Sequence, residues 1–241
     1  MKYSIYQLDF YNGVRFGKGR LETTEMTFHA DTLFAALFQE AIKLGKEKIF
    51  LDAVRNGALR WSDAFPYKER RYYIPKPMIS YKAVKDEKKG NSVEKKRFKK
   101  MKYIPQEYLE NFLKGEYPEE ELKEEQKFGV HSMKVSVGLR GNEESEPYRV
   151  NAFYFSEGNG LYLILAYQEL EAVELFKKLL DSLSYSGLGG KRSAGLGRFE
   201  YMEHEMPDEL KEKLQKKADK YMLLSVALPE DQEMEKILEN A

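Results

Sequence analysis

The chain has 241 residues, 42% hydrophobic and 13% aromatic, which is enough apolar material for a packed core and too much for global disorder. Its 40 basic and 40 acidic residues cancel, so overall charge points to no partner and only its distribution along the chain can. With no cysteine and three scattered histidines (His29, His131, His204), disulfides and thiolate metal sites are excluded, and neither a metal nor another cofactor is expected.

The N-terminal MKYSIYQLDF alternates apolar and polar residues as a strand over 3–10 does, and it lacks the apolar core of a signal peptide. No apolar run reaches membrane-spanning length, so a cytoplasmic protein with no membrane partner is the expectation. Residues 11–19 (YNGVRFGKG) form a glycine-punctuated loop carrying Arg15 and Lys18, either a plain turn or a phosphate-facing loop. In FHADTLFAALFQEAIKLG, Leu33, Phe34, Leu37, Phe38, Ala41 and Ile42 recur at helical spacing. The pattern predicts a helix over 31–44 with Asp31 as N-cap and Gly45 just past its end. A shorter helix over 46–55 stops at Asn56-Gly57, and a strand follows at 59–62. Phe65-Pro66 and YYIPKP at 72–77 are expected to interrupt regular structure.

The composition then shifts sharply. Residues 82–102 hold ten Lys or Arg against three acids, a formal +7, and 107–125 hold eight acids against two lysines, a formal −6. The basic block around Gly90-Asn91-Ser92 is read as a mobile segment, either a solvated insertion or an RNA-contacting arm; a short helical pattern at 104–113 separates it from the acidic block. Order returns with strands over 131–139 and 148–155, a hairpin connection at 156–160, a strongly apolar strand over 161–167 and an amphipathic helix over 169–185.

Ser186 to Phe199 reads SGLGGKRSAGLGRF and holds five glycines together with Lys191, Arg192 and Ser193. Glycines let several main-chain N–H groups turn toward one anion, and the lysine, arginine and hydroxyl suit a phosphate. A Walker A loop is excluded, because Arg192 follows Gly190-Lys191 where Ser or Thr is required and the loop runs from helix to strand rather than strand to helix. What remains is a loop for an extended polyphosphate such as RNA, or a purely mechanical connection. The element order β-α-β-β-α-β predicts an α+β, ferredoxin-like (RRM-like) domain over 1–205 with a long insertion at about 80–147. A helical linker over 206–220 leads to a strand at 221–228 and a helix at 230–240, the start of an incomplete second ferredoxin-like unit over 221–241.

A GxGGKRSxGxG loop between the last helix and last strand of such a fold resembles the signature of the RAMP superfamily of CRISPR proteins. With VRFGKG at 14–19, FHADTLFAAL at 28–37, FPY and YYIPKP within 65–77, and KKMKYIP at 99–105, the chain is similar over about 3–205 to the fourth Csm subunit of type III-A effector complexes. The resemblance implies a non-catalytic RNA-binding subunit acting in antiviral defence. Such a subunit caps the 5′ handle of the CRISPR RNA (crRNA) and bridges the large polymerase-like Csm subunit to the backbone Csm subunit. It also lends a thumb-like hairpin that distorts the guide–target duplex. Carried onto this sequence, the handle site is Gly187, Gly189, Gly190, Lys191, Arg192, Ser193, Gly195 and Gly197, with Arg15 in the earlier loop. His29 and Asp31, at the start of the first helix, would lie beside it. The thumb falls within 129–149, where Lys134, Arg140 and Arg149 would reach phosphates. The family usually carries a complete second unit, of which only the beginning is expected here.

Two rivals stay open. Some RAMP proteins are endoribonucleases that process CRISPR RNA, and His29 is the candidate general base for such a reaction. A pure scaffold, whose glycine loop packs against a neighbour and never meets RNA, is the other.

Overall fold

The alternating N-terminal segment forms strand β1 (Lys2–Phe10), which is buried on both faces, Ser4 and Gln7 included. Tyr6 and Leu8 point into the main core, while Ile5 points into a second apolar cluster on the opposite face. The computed structural model describes residues 1–78, 92–123, 126–138, 146–218, 221–227 and 233. β1 lies between β10 (Asn159–Tyr167) and β11 (Phe199–Glu205), antiparallel to both, with Ile5 opposite Ile164 and His204. β10 continues the antiparallel sheet through β4 (Leu59–Trp61) and β5 (Phe65–Lys68), and then β6 (Arg71–Pro75) and β7 (Tyr103–Pro105) extend it. The chain is thus a mixed α/β protein built on an antiparallel sheet.

The 65–77 stretch corrects the expectation of broken structure. Pro66 sits opposite Leu161 of β10, and β6 engages only Tyr67 and Lys68. Pro66 therefore has a strand neighbour on one side alone, an edge-like position where a missing N–H is tolerated. The 11–19 segment is likewise not all loop, since β2 (Phe16–Lys18) pairs with β3 (Arg20–Glu25).

Two amphipathic helices cover one sheet face, α1 (Ala30–Lys43) and α6 (Leu170–Ser186), with the short α2 (Glu47–Arg55) beside α1. Leu33, Leu37, Phe176, Leu179, Leu180 and Leu183 meet Tyr6, Leu8, Leu161, Leu163 and Phe199 in the core. The helices are also joined by Glu40, whose carboxylate is wholly buried and accepts hydrogen bonds from Lys43 Nζ (2.7 Å) and Ser182 Oγ (2.6 Å). Of the residues read as a linker, 208–215 form α7 (Asp208–Gln215), whose Leu210, with the preceding Met206, covers Ile5, Tyr162 and Ile164 on the second sheet face.

Leu224 packs on that same cluster, so the expected strand at 221–228 is corrected within its described part: 221–227 is irregular. Asp63 N donates to Leu224 O (2.8 Å), so this segment is tethered to the β4–β5 link rather than opening a new sheet. The expected helix at 230–240 lies, apart from residue 233, outside the described residues.

The two charge blocks fold as a small annex on β6 and β7. Phe98 of the helix α3 (Ser92–Lys100) and Met101 just past its end pack onto Ile74, Ile104 and Phe112, the last from α4 (Leu109–Lys114). Residues 92–100 of the basic block thus form a helix packed on β6 and β7 through Phe98, while 79–91 lie outside the described residues. Arg71 anchors two carboxylates of the acidic block. Its guanidinium donates to Glu107 and, at 2.8 and 3.2 Å, to both carboxylate oxygens of Glu121 in α5 (Glu120–Lys123), and lies over the Tyr108 ring. Finally, β8 (Gly129–Gly138) and β9 (Glu146–Phe155) form a separate two-stranded hairpin.

Candidate nucleic-acid interface

The glycine-rich loop is held in place by its own main chain. Gly187 N donates to Leu183 O (2.7 Å), Leu188 N to Gly197 O (2.8 Å), Gly190 N to Arg15 O (2.8 Å) and Gly197 N to Gly13 O (3.0 Å). Gly189 (φ 91°) and Gly197 (φ 79°) are required: a Cβ on either would lie 2.6 Å from Arg15 O or 2.0 Å from Leu188 O. With Gly195 N donating to Arg192 O (2.9 Å), four of the five glycine amides of the loop are engaged within the protein. The glycines act as the mount, and what the mount presents is a tip of side chains. Residues Arg192–Ala194 make a short 3-10 turn, with Arg192 and Ser193 exposed. Lys191, just before it, is held at φ 60°, a left-handed conformation that costs a non-glycine residue about 1–2 kcal/mol. That conformation accompanies an ammonium placed 5.0 Å from the centre of the Tyr148 ring on β9.

The loop therefore touches the hairpin, and residues that sequence reasoning passed over join the site. Tyr185 and Tyr11 are 81% and 63% exposed, large aromatic faces bare to solvent beside the loop. Tyr11 N donates to Arg198 O, and its phenol is held above the ordinary tyrosine pKa by a hydrogen bond to Glu200. Exposed aromatics next to clustered cations suit a single-stranded nucleic acid, because every base has a stacking face. The signal available in the sequence was a tyrosine directly flanking each glycine-containing loop.

The remaining site residues divide by position. Arg15 lies in the cluster, its guanidinium against Gly190 and its Nη2 donating to Arg20 O (2.9 Å). Its Nε is buried without a hydrogen-bond partner. On the hairpin, Lys134 and Tyr148 lie on the face that meets the glycine loop, whereas Arg149 lies on the other, opposite Val135. Arg140 lies outside the described residues.

His29 and Asp31 stand at the start of α1. His29 is linked to the loop through its neighbour Phe28, whose ring lies 4.9 Å from that of Phe16, which in turn abuts Gly189. Its Nδ1 bonds Asp63 Oδ2 at 2.8 Å, and since a carboxylate only accepts, Nδ1 is the donor. The Asp31 cap is corrected too. The N-cap position of α1 is His29, and the side chain that satisfies the first turn is Asp63, whose Oδ1 accepts from Ala30 N at 2.7 Å. Asp31 instead accepts from Thr32 N and Oγ1. Asp63 was missed because its partners are 33 and 34 residues away. Among the described residues no group of three or more His, Asp or Glu side chains could hold a metal ion, and no helix is long and apolar enough to cross a membrane.

No protein-family model matches the chain. Individual proteins do. A protein of Mycobacterium tuberculosis named CRISPR system Cms protein Csm4 is 34% identical over 243 residues, covering 100% of this chain and 77% of its own length. The chain belongs to the Csm4 family. A protein of the same name from Streptococcus thermophilus is also 34% identical, over 249 residues and with the same coverage of each chain. Among solved structures, a chain in the crystal structure of a Csm1-Csm4 cassette in complex with cA4 superposes with a TM-score of 0.57 at 22% identity, over 86% of this chain and 72% of that one. A chain in a Csm3-Csm4 subcomplex of the type III-A CRISPR-Cas interference complex gives 0.57 at 17% identity, over 88% and 72%. The Csm4-family fold is thus common to this chain and to those two.

Proposed function

We propose that this Csm4-family chain is a non-catalytic, RNA-binding subunit of a type III-A CRISPR-Cas interference complex, working in the cytoplasm in antiviral defence. It caps the 5′ handle of the crRNA and bridges two other subunits. The observation that carries the reading is the tip Lys191-Arg192-Ser193, held out on a glycine mount beside two bare tyrosines, with Lys191 over Tyr148 of a projecting hairpin. Cations and a hydroxyl bind phosphates, the tyrosines stack bases, and the rigidity of the mount lowers the entropy lost on binding. That solved relatives sit with Csm1 in one assembly and with Csm3 in another fits a subunit that joins two different neighbours.

The hairpin β8–β9 is the thumb in this reading. Met133, Val135 and Val137 lie exposed along one of its faces, an apolar wedge of the kind that unstacks a duplex. The sheet order β11-β1-β10-β5, antiparallel throughout, with α1 and α6 on one face, supports reading the body as ferredoxin-like.

One observation favours the ribonuclease alternative: Asp63 orients His29 as a general base is oriented. In our reading Asp63 serves instead to cap α1, and His29 contacts RNA without cleaving it. A salt-dependent titration of the chain against crRNA with and without its 5′ handle, scoring cleavage in the same tubes, tests both. Handle-dependent binding that weakens with salt and yields no product is the expected result. Product that disappears in His29→Ala would establish the ribonuclease instead, and absence of handle-dependent binding would leave the scaffold.

A further inference from the structure

We propose that a second RNA-binding groove lies on the opposite face of the hairpin from the glycine loop, between the root of β8 and the basic helix α3; the inference rests on the RNA-binding reading above. The two faces are fixed by strand parity. Tyr148, which meets Lys191, is paired with Ser136 on one face, while His131 and Phe153 are paired with each other on the other. On that second face a cleft of about 690 Å³ opens between the hairpin and the annex.

Its walls come from segments far apart in sequence. Arg97, Lys100 and Lys102 contribute from the basic block, and Lys127 and His131 from the foot of the hairpin. They are set on firm supports. The basic helix is pinned by Phe98, whose carbonyl accepts from Lys76 Nζ (2.7 Å) and whose ring packs on Phe112. His131 is exposed and rests its ring edge on the buried Phe153, with centroids 5.0 Å apart. Tyr103 closes the inner wall, its hydroxyl hydrogen-bonded to Thr27 Oγ1.

The charge balance favours an anion. Among the described lining residues there are four cations against two carboxylates, Glu25 and Glu121. Both carboxylates are already engaged by cations from outside the cleft: Glu25 pairs with Lys18 at 2.7 Å and Glu121 with Arg71 at 2.8 Å. Lys102 stands 3.8 Å from Glu25, too far for a tight pair. Cations ranged along a cleft with an exposed imidazole face for stacking are the means by which proteins hold single-stranded RNA without reading its sequence. RNA gripped at the glycine loop on one face of the hairpin would continue past the hairpin into this groove. The basic block is then part of the RNA path.

The test uses the whole chain and two single-stranded oligouridylates, one of handle length and one about twice as long, in fluorescence-anisotropy titrations at several salt concentrations. The variant is Lys100→Ala with Lys102→Ala, both exposed, and it is compared with Lys191→Ala/Arg192→Ala. The groove variant should bind the long RNA about ten-fold more weakly and flatten its log–log salt slope by about 1.4, roughly 0.7 per lost phosphate contact on a single strand. The handle-length RNA should be held as before, while the loop variant weakens both. His131→Ala should weaken the long RNA with no change in salt slope, because stacking releases no counterions. Unchanged binding of the long RNA by the groove variant overturns the proposal, as does equal weakening of short and long RNA. If the groove variant fails on long RNA while the loop variant binds normally, the groove stands and the glycine-loop reading falls.

Discussion

The glycine loop does two jobs that different substitutions should separate, and Gly197→Ala set against Lys191→Ala/Arg192→Ala is the informative pair. Gly197 sits at φ 79°, and a methyl there would lie 2.0 Å from Leu188 O and 2.9 Å from Leu188 N and C. All three are backbone atoms, so no side chain can swing aside. Relief requires breaking the Leu188 N to Gly197 O bond and lifting Leu188, now 1% exposed, off the core. The left-handed backbone costs about 1–2 kcal/mol, the lost hydrogen bond about 1, and partial exposure of a leucine about 1–2, a total near 3–5 kcal/mol. In urea unfolding the midpoint should fall accordingly at nearly constant m-value. The double cation variant removes no main-chain bond of the loop, and its loss to the fold is the Lys191–Tyr148 contact, below about 1 kcal/mol. Its unfolding curve should overlay the wild type, while its affinity for handle RNA drops about ten- to a hundred-fold. A Gly197→Ala chain as stable as wild type would refute the mount, and undiminished RNA affinity in the cation variant would refute the tip.

Three further outcomes follow from the geometry. Burial pushes the Glu40 carboxyl pKa up, but hydrogen bonds from Lys43 and Ser182 outweigh it and hold the group below the ordinary carboxylate value. Its stabilisation is therefore complete above the unfolded pKa near ~4.3 and fades as pH falls through the folded value. Glu40→Gln should cost about 1–3 kcal/mol at neutral pH and flatten the acid limb of a stability–pH curve; an unchanged acid limb would show that Glu40 is not the group responsible. Asp63→Ala should destabilise the chain by about 1–2 kcal/mol through loss of the α1 cap, and Asp63→Asn should recover most of it because asparagine caps equally well. Equal loss in both, read by thermal unfolding, would mean that the charge rather than the cap matters. Arg71→Ala leaves Glu107 and Glu121 without their shared cation, and hydrogen exchange should rise in 106–121 while β1 and β10 keep their protection. Uniform exchange across both regions would contradict the annex as a separate unit.

Much of the body was legible because its patterns are local. The alternation in β1, the helical spacing in α1 and α6, the hairpin β8–β9 and the glycine loop all repeat over a few residues, and they came out within one or two residues of their bounds. The misreadings share one cause. Phe65-Pro66 looked like a break because a proline penalises an interior strand, and only the pairing of β5 shows that this position has a single neighbour. Asp31 looked like the cap because it is the nearest carboxylate, yet Asp63 arrives from the β4–β5 link. The 221–227 segment has the composition of a strand, but the partner available to it is the apolar face around Ile164, and it is tethered there irregularly.

By itself, then, the sequence determined the periodic elements, the chemistry of the Lys191-Arg192-Ser193 tip and, at 34% identity to named relatives, membership of the Csm4 family. The tertiary structure alone decided which groups are spent and which are offered. It engaged four of the five glycine amides within the protein, paired Arg71 with Glu107 and Glu121 of the acidic block and set tyrosines bare beside the loop. It also brought Arg97, Lys100 and Lys102 across a cleft from His131. The reason is physical: secondary structure answers to neighbours three or four residues away, whereas a hydrogen bond or an ion pair is satisfied by whatever the fold brings within about 3 Å, at any distance along the chain.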